Sequence, residues 1–309
     1  MSRSLAVRLF SFAFAFVIFV LGSYVIVAQN AITGDWKSDT RSEDSDKVQL
    51  APDKIQLSFE IRTDKGGKNQ HGSSFLYSDL QGLTREQAQN GRASFSLVRE
   101  AGTIQCEGTF TNGKGAGTFR FTPNYSFADA MKARGFDFSA PSKHGSNDLE
   151  MRLFTATTLN VTTAFADDLK SANFGPLDVD DLFKAVIFKI TPQYMAEMKA
   201  TGFPDLGMEE LVKGRIFKID ADYVKQVHDM GFASQDFEGL VKFRIFKVTP
   251  EFLNQIKAEG ITNLSSEDIV KLRIFKIDPQ FIREARATEP NITIEELVQM
   301  KIGVRKRSR

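Results

Sequence analysis

Apolar and polar residues alternate along the first third of the chain, and then the period changes. Ile55, Leu57, Phe59 and Ile61 interleave with Gln56, Ser58, Glu60 and Arg62; Ala93, Phe95 and Leu97 interleave with Ser94, Ser96 and Val98. A period of two buries one face of a strand and wets the other. Thr103 to Phe110 and Ala116 to Phe121 flank TNGKG, whose Asn112-Gly113 pair predicts a hairpin turn. GKGAG at 113–117 sits between these strands with no helix after it, so it reads as a turn and not as a phosphate loop. The pattern predicts a small antiparallel sheet over 33–122, a meander or a partly closed barrel. Trp36 is expected to pack on an early strand, and the polar segment between Asp35 and Lys47 to be a loose loop.

From about residue 124 the period becomes helical, and the chain begins to repeat. KGRIFKID, KFRIFKVTP and KLRIFKIDP recur, and the isoleucine of the IFK triplet falls at Ile187, Ile216, Ile245 and Ile274, a constant step of 29 residues. A step of that size marks stacked supersecondary units. Five repeats follow at 162–190, 191–219, 220–248, 249–277 and 278–304, the last with one residue deleted. Each opens on a predicted N-cap, Thr162, Thr191, Asp220, Thr249 or Asp278, with Pro192, Pro250 and Pro279 at the first helical position. Gly202, Gly231 and Gly260 end the first helix of their repeats, and Asp178, Gly207, Asp236, Ser265 and Thr293 start the second. The buried face of the second helix is expected to comprise Leu182/Phe183/Ile187, Leu211/Val212/Ile216, Leu240/Val241/Ile245, Ile269/Val270/Ile274 and Leu297/Val298/Ile302. Ile190, Ile219, Val248 and Ile277 are expected to staple onto Met195, Val224, Leu253 and Ile282. Residues 124–161 read as a degenerate helical repeat and junction, with one helix near Ser126–Phe136 and its partner near Asn147–Thr155. A lone helix pair cannot bury its apolar stripe, whereas stacked copies can. The expected fold class is therefore α+β, an antiparallel sheet domain followed by an α-solenoid of helix-turn-helix repeats.

The first residues add a destination. Arg3 and Arg8 precede a nearly uninterrupted apolar run from Leu9 to Ala28. Residues 1–28 read as a signal peptide, with an uncleaved membrane anchor through 9–28 as the alternative. Both place the remainder outside the cytoplasm, in the periplasm or beyond. Forty basic residues balance 39 acidic ones, so no global field favours nucleic acid. The one cysteine, Cys106, cannot form an intramolecular disulfide, and it shares a strand face with Ile104 and Phe110, which makes it a buried, inert thiol. His71, His144 and His228 are widely separated, and no HExxH, CxxC or GxSxG motif occurs. Asp167-Asp168 and Asp180-Asp181 fall in early helical turns, where carboxylates suit the positive helix end. No catalytic residue, cofactor site or metal site is assigned.

The residues left to carry function are those the repeats share. Lys213, Arg215 and Lys218 recur as Lys242, Arg244 and Lys247 and as Lys271, Arg273 and Lys276, with Phe217, Phe246 and Phe275 beside them. The first full copy keeps Lys184 and Lys189 with Phe188. A fixed step aligns these into a basic, aromatic ladder, either as helix-end cations and gap fillers or as a surface for an acidic protein, anionic glycan or lipid headgroup. The tail at 305–309 adds Arg305, Lys306, Arg307 and Arg309.

The repeat TPEFLNQIKAEGITNLSSEDIVKLRIFKI resembles short helical repeats of exported bacterial proteins, which are also appended to antirepressor membrane metallopeptidases of the beta-lactam sensor-transducer type. CEGTFTNGKGAGTFRFTPN followed by SFADAMKARGF resembles the sheet-to-helix junction of the same proteins. The resemblance spans nearly all of 33–304 and implies an exported protein with a sheet domain and helical repeats. It does not carry peptidase activity, because the zinc motif and the several transmembrane helices are missing here. Repeats of that group often have His-Gly where this chain has Phe-Lys, and only Gly303 keeps the glycine. The expected function is a non-enzymatic interaction or scaffold module of the bacterial envelope, binding an envelope protein or anionic ligand through the repeats. An accessory or sensor of an antirepressor-like system is the alternative, and a hydrolase using His71 and His144 is the third reading.

Overall fold

The computed structural model describes residues 32–39, 51–62, 68–142, 146–173 and 175–304. The expected leader or anchor at 1–28, His144 and the tail at 305–309 lie outside the described residues. No described helix is long and apolar enough to cross a membrane. The chain is an α+β protein and divides into two compact units. The first holds the described residues up to Ala166 with Asp178–Phe183; the second holds Asp167–Leu177 and the chain from Lys184 onward.

In the first unit, β1 (Ile32–Asp39), β2 (Lys54–Arg62), β3 (Lys68–Leu76), β4 (Leu80–Gln81), β5 (Gly91–Arg99), β6 (Gly102–Thr111) and β7 (Lys114–Pro123) form one antiparallel sheet. Its order is β3-β2-β1-β7-β6-β5-β4. Two meanders are thus joined through β1 and β7, which pair from Ile32 with Phe121 to Asp39 with Lys114. The β6–β7 hairpin turns at Asn112 and Gly113, both at positive φ (50° and 76°), as the Asn-Gly pair predicts.

One expectation needs correction here. Asp35 to Asp39 is not loop but part of β1, a central strand whose backbone is paired on both sides, with β2 and with β7. Trp36, expected to pack on an early strand, is itself part of the first strand and fully buried. Its ring reaches Phe95 (5.2 Å) and Phe110 (5.4 Å), and its Nε1–H donates to the Glu107 carbonyl at 3.1 Å. Gly108 and Gly117 pair opposite one another beneath the indole, and a Cβ on either would stand 2.7 Å from it.

Two helices lie wholly within this unit, α1 (Tyr125–Ala133) and α2 (Leu149–Leu159). Both fall where a degenerate repeat is expected, yet α2 serves the sheet. Phe154 sits among Phe59, Phe119 and Phe121 with centroids 5.3–5.8 Å away, so the apolar sheet face is covered by this helix. Arg152, one residue class rarely buried, is 4% exposed and donates to the Phe138 and Ala140 carbonyls at 3.0 and 2.6 Å.

The repeats begin with α3 (Thr163–Ser171) and α4 (Val179–Ile187) and continue as α5 (Pro192–Ala200), α6 (Met208–Ile216), α7 (Ala221–Asp229), α8 (Phe237–Ile245), α9 (Pro250–Ala258), α10 (Ser266–Ile274), α11 (Pro279–Thr288) and α12 (Ile294–Lys301). The expected caps are in place. Thr191, Asp220, Thr249 and Asp278 accept from the amide three residues on, as do Asp236, Ser265 and Thr293 at the second helices. Ser265 and Thr293 close capping boxes with Asp268 and Glu296. In the second unit, α8 packs against α6 and α10, and α12 against α10, so the second helices of successive repeats are neighbours.

The RIFK(I/V) segment is a helix stop written as a Schellman motif. At the end of α6, the Ile219 amide donates back to the Gly214 carbonyl (2.7 Å) and the Lys218 amide to the Arg215 carbonyl (3.3 Å). Ile190, Val248 and Ile277 repeat the long bond to Ala185, Phe243 and Leu272. The closing residues Ile190, Ile219, Val248 and Ile277 are all buried, as are Met195, Val224, Leu253 and Ile282 in the helices they introduce.

Candidate functional site

The aligned lysines, arginines and phenylalanines of the repeats do not form one ladder. The structure separates them into three groups with different partners.

The arginines clamp the repeats. Arg215 lies over the Tyr194 ring at 3.8 Å, Arg244 over Tyr223 at 3.6 Å and Arg273 over Phe252 at 4.7 Å; each pairs the second helix of a repeat with its first. Arg244 also donates to the Lys218 carbonyl and Arg273 to the Phe246 carbonyl, both at 2.7 Å. These are helix-end carbonyls of the preceding repeat, which have no partner within their own helix. Tyr194 donates its hydroxyl to the Ile219 carbonyl at 3.0 Å. Burial pushes the phenols of Tyr194 and Tyr223 up to about 12.

A second group forms a charge zipper. Lys184 bonds Glu209 and Lys213 bonds Glu238, each at 2.5 Å, and Lys271 pairs with Glu267 at 3.3 Å and Glu295 at 3.8 Å. These carboxylates lie in the first turn of the second helices. Donating a hydrogen bond to Glu238 and to Glu267 raises the pKa of Lys213 and Lys271. Lys242 is exposed and lines a groove between α8 and α10 with Phe246, Lys271 and Ile274, of about 610 Å³.

The third group is the one left facing water. Lys189, Lys218, Lys247 and Lys276 are exposed, and all adopt positive φ, 51–54°. Left-handed backbone is costly for any residue with a Cβ, and glycine normally fills this place after a helix. Gly303 does so in the last repeat, at φ 78°. Among the described residues no ion pair engages the ammonium groups of these four lysines. Phe217, Phe246 and Phe275 precede them as C-caps and are half-buried.

Beside the lysines stands a feature the sequence pattern assigned to the wrong side. Ile187, Ile216, Ile245, Ile274 and Ile302 are not part of the buried face; they are 45–55% exposed. Each closes or follows the last turn of its second helix, seven residues after an acid: Asp180, Glu209, Glu238, Glu267 and Glu295. Seven residues bring a helical side chain back within about 20° of its start, so the isoleucine rides on the charged stripe rather than beside Leu211 or Leu240. That spacing was legible and would have exposed these residues.

Elsewhere the chemistry is sparse. His71 is half-buried with its ring edge-on to Phe154 at 5.3 Å, and burial lowers its pKa. Cys106 is buried, and desolvation pushes its thiol up, which disfavours the reactive thiolate. Asp180 accepts from the Ser142 hydroxyl at 2.8 Å and faces Arg152 at 3.8 Å, a structural use of that carboxylate. No grouping of three His, Cys, Asp or Glu side chains suited to a metal occurs among the described residues. The chain matches no protein-family model and no curated protein.

Proposed function

We propose that the protein is a non-enzymatic interaction module of the bacterial cell envelope, whose helix pairs stack as a short α-solenoid and bind a partner along one edge. The observation that carries this reading is the repeated juxtaposition of a half-exposed isoleucine and a left-handed lysine that has no ion pair among the described residues, at Ile187/Lys189, Ile216/Lys218, Ile245/Lys247 and Ile274/Lys276. Both halves of the pair cost folding free energy: the isoleucine leaves apolar surface wet, and the lysine holds strained backbone where glycine would not. A feature retained in four copies against that cost supports a binding role. Export rests on the apolar run Leu9–Ala28 behind Arg3 and Arg8.

Affinity capture tests the reading. The tagged full chain is used as bait in envelope extract of its host, beside a bait carrying Lys218→Glu, Lys247→Glu and Lys276→Glu. A partner retained by the first bait and lost by the second is the expected result. Equal recovery on both removes the edge from consideration.

An accessory role in an antirepressor-like signalling system is a second reading. It rests on the resemblance of the repeats, whose glycine at the left-handed position this chain keeps only at Gly303. Unchanged signalling after deletion of the chain would remove it.

A further inference from the structure

We propose that the ligand of this edge is an acidic peptide segment in polyproline II conformation, with a carboxylate at every third residue. The proposal rests on the interaction reading above and adds the chemistry of the partner.

Second helices of successive repeats are direct neighbours, α6 with α8, α8 with α10 and α10 with α12. Packed helix axes lie about 8–10 Å apart, so the lysines at Lys218, Lys247 and Lys276 recur at about that step. A polyproline II helix has three residues per turn and rises about 3.1 Å per residue, which repeats each face at about 9 Å. Side chains at every third position of such a peptide therefore stay on one face and in register with the lysines. A flat β-strand returns to one face only every second residue, about 6.6 Å, and falls out of step.

Complementarity follows from what surrounds each ammonium. The lysine charge has no partner among the described residues, so a carboxylate meets an available donor. The neighbouring isoleucine and the half-buried phenylalanine offer an apolar ledge for the other two residues of each peptide turn. Proline rings fit such ledges, and a proline-rich peptide is already ordered before it binds.

The rest of the face selects a narrow ligand over a broad one. About two turns before each isoleucine, Glu209, Glu238, Glu267 and Glu295 are well exposed, 54–77% of their side chains. An anionic bilayer laid over this face would meet those carboxylates along with the lysines. A single peptide chain at the C-terminal edge of the helices meets the lysines and passes the glutamates by. That contrast favours a peptide over a membrane surface.

The test uses the full chain and a fluorescent peptide of Glu-Pro-Pro repeated four times. A control of Glu-Gly-Pro-Pro repeated four times keeps the charge and changes the step to four. The expected result is at least tenfold tighter binding of the three-residue repeat, by anisotropy at low salt. Lys218→Glu/Lys247→Glu/Lys276→Glu should weaken it at least tenfold. The variant with glycine at the same three lysines should weaken it comparably while folding at least as well, because glycine suits the left-handed turn. Equal affinity for both peptides, or binding indifferent to the lysines, overturns the proposal. So does stronger capture by vesicles of equal phosphatidylglycerol and phosphatidylcholine than by the peptide, which would assign the edge to a membrane. If envelope capture is lost on charge reversal but the peptides do not discriminate, the peptide class fails and the interaction reading stands. Failure of both experiments removes both.

Discussion

Replacing the left-handed lysines by glycine and by alanine separates backbone strain from side-chain contacts. Lys218, Lys247 and Lys276 hold φ of 54°, 53° and 51° at the residue after the helix C-cap. A residue with a Cβ in this conformation costs about 1–2 kcal/mol. Glycine relieves that strain but gives back about 0.4–1 kcal/mol through the freedom of the unfolded chain. Removing an exposed cation from a helix C-terminus loses a further ~0.3–0.5 kcal/mol. The net for Lys218→Gly is stabilisation of about 0.5 kcal/mol, whereas Lys218→Ala keeps the strain, loses the cation and destabilises by a similar amount. The glycine–alanine difference is then about 1 kcal/mol at each site. The three motifs belong to separate helices and share no partner, so the triple variants should differ by about 3 kcal/mol. Urea unfolding of the full chain reads this as a shift of midpoint at unchanged m. Equal stability of the two triple variants would show that the left-handed turn is not the ground state of the protein. No strain would then be retained at these three lysines.

Three further outcomes follow from other contacts. Tyr194 and Tyr223 are buried with their phenols pushed up to about 12, so the folded state holds the proton where the unfolded chain, near 10, releases it. Their contribution is complete below pH 10 and is lost as pH rises through 12, roughly 2 kcal/mol each, and Tyr194→Phe with Tyr223→Phe should flatten this alkaline loss in urea midpoints measured from pH 9 to 12. Arg244→Ala removes both the stack on Tyr223 and the bond to the Lys218 carbonyl and should cost about 2 kcal/mol; a loss no larger than that of Lys247→Ala would refute its role as a clamp. Phe154→Ala empties the aromatic cluster under the sheet and should destabilise by about 3–5 kcal/mol, read as a lowered Tm, and a change below 1 kcal/mol would deny α2 its place on the sheet.

Local chemistry made most elements readable. Alternation, the Asn112-Gly113 turn and the repeated Thr, Asp and Ser caps act over a few residues, and each lies where those residues predict. The 29-residue step, the N-caps and the RIFK(I/V) stop needed no long-range information, because a cap or a Schellman turn is closed within six residues. Partner assignments across the chain were beyond that range. The pairing of β1 with β7, the entry of Trp36 into the core through the first strand, and the use of α2 to cover the sheet join residues up to about 95 positions apart. The candidate surface shows the same division within one motif. Composition and step marked Lys213, Arg215 and Lys218 as equals, and three-dimensional packing made them an ion-pair partner, a ring-stacked clamp and an exposed cation. Their fates differ because a ring, a carboxylate or open water meets each side chain, and these neighbours come from another helix or another repeat. A sequence records the residue; the free energy of its charge depends on what tertiary packing sets beside it.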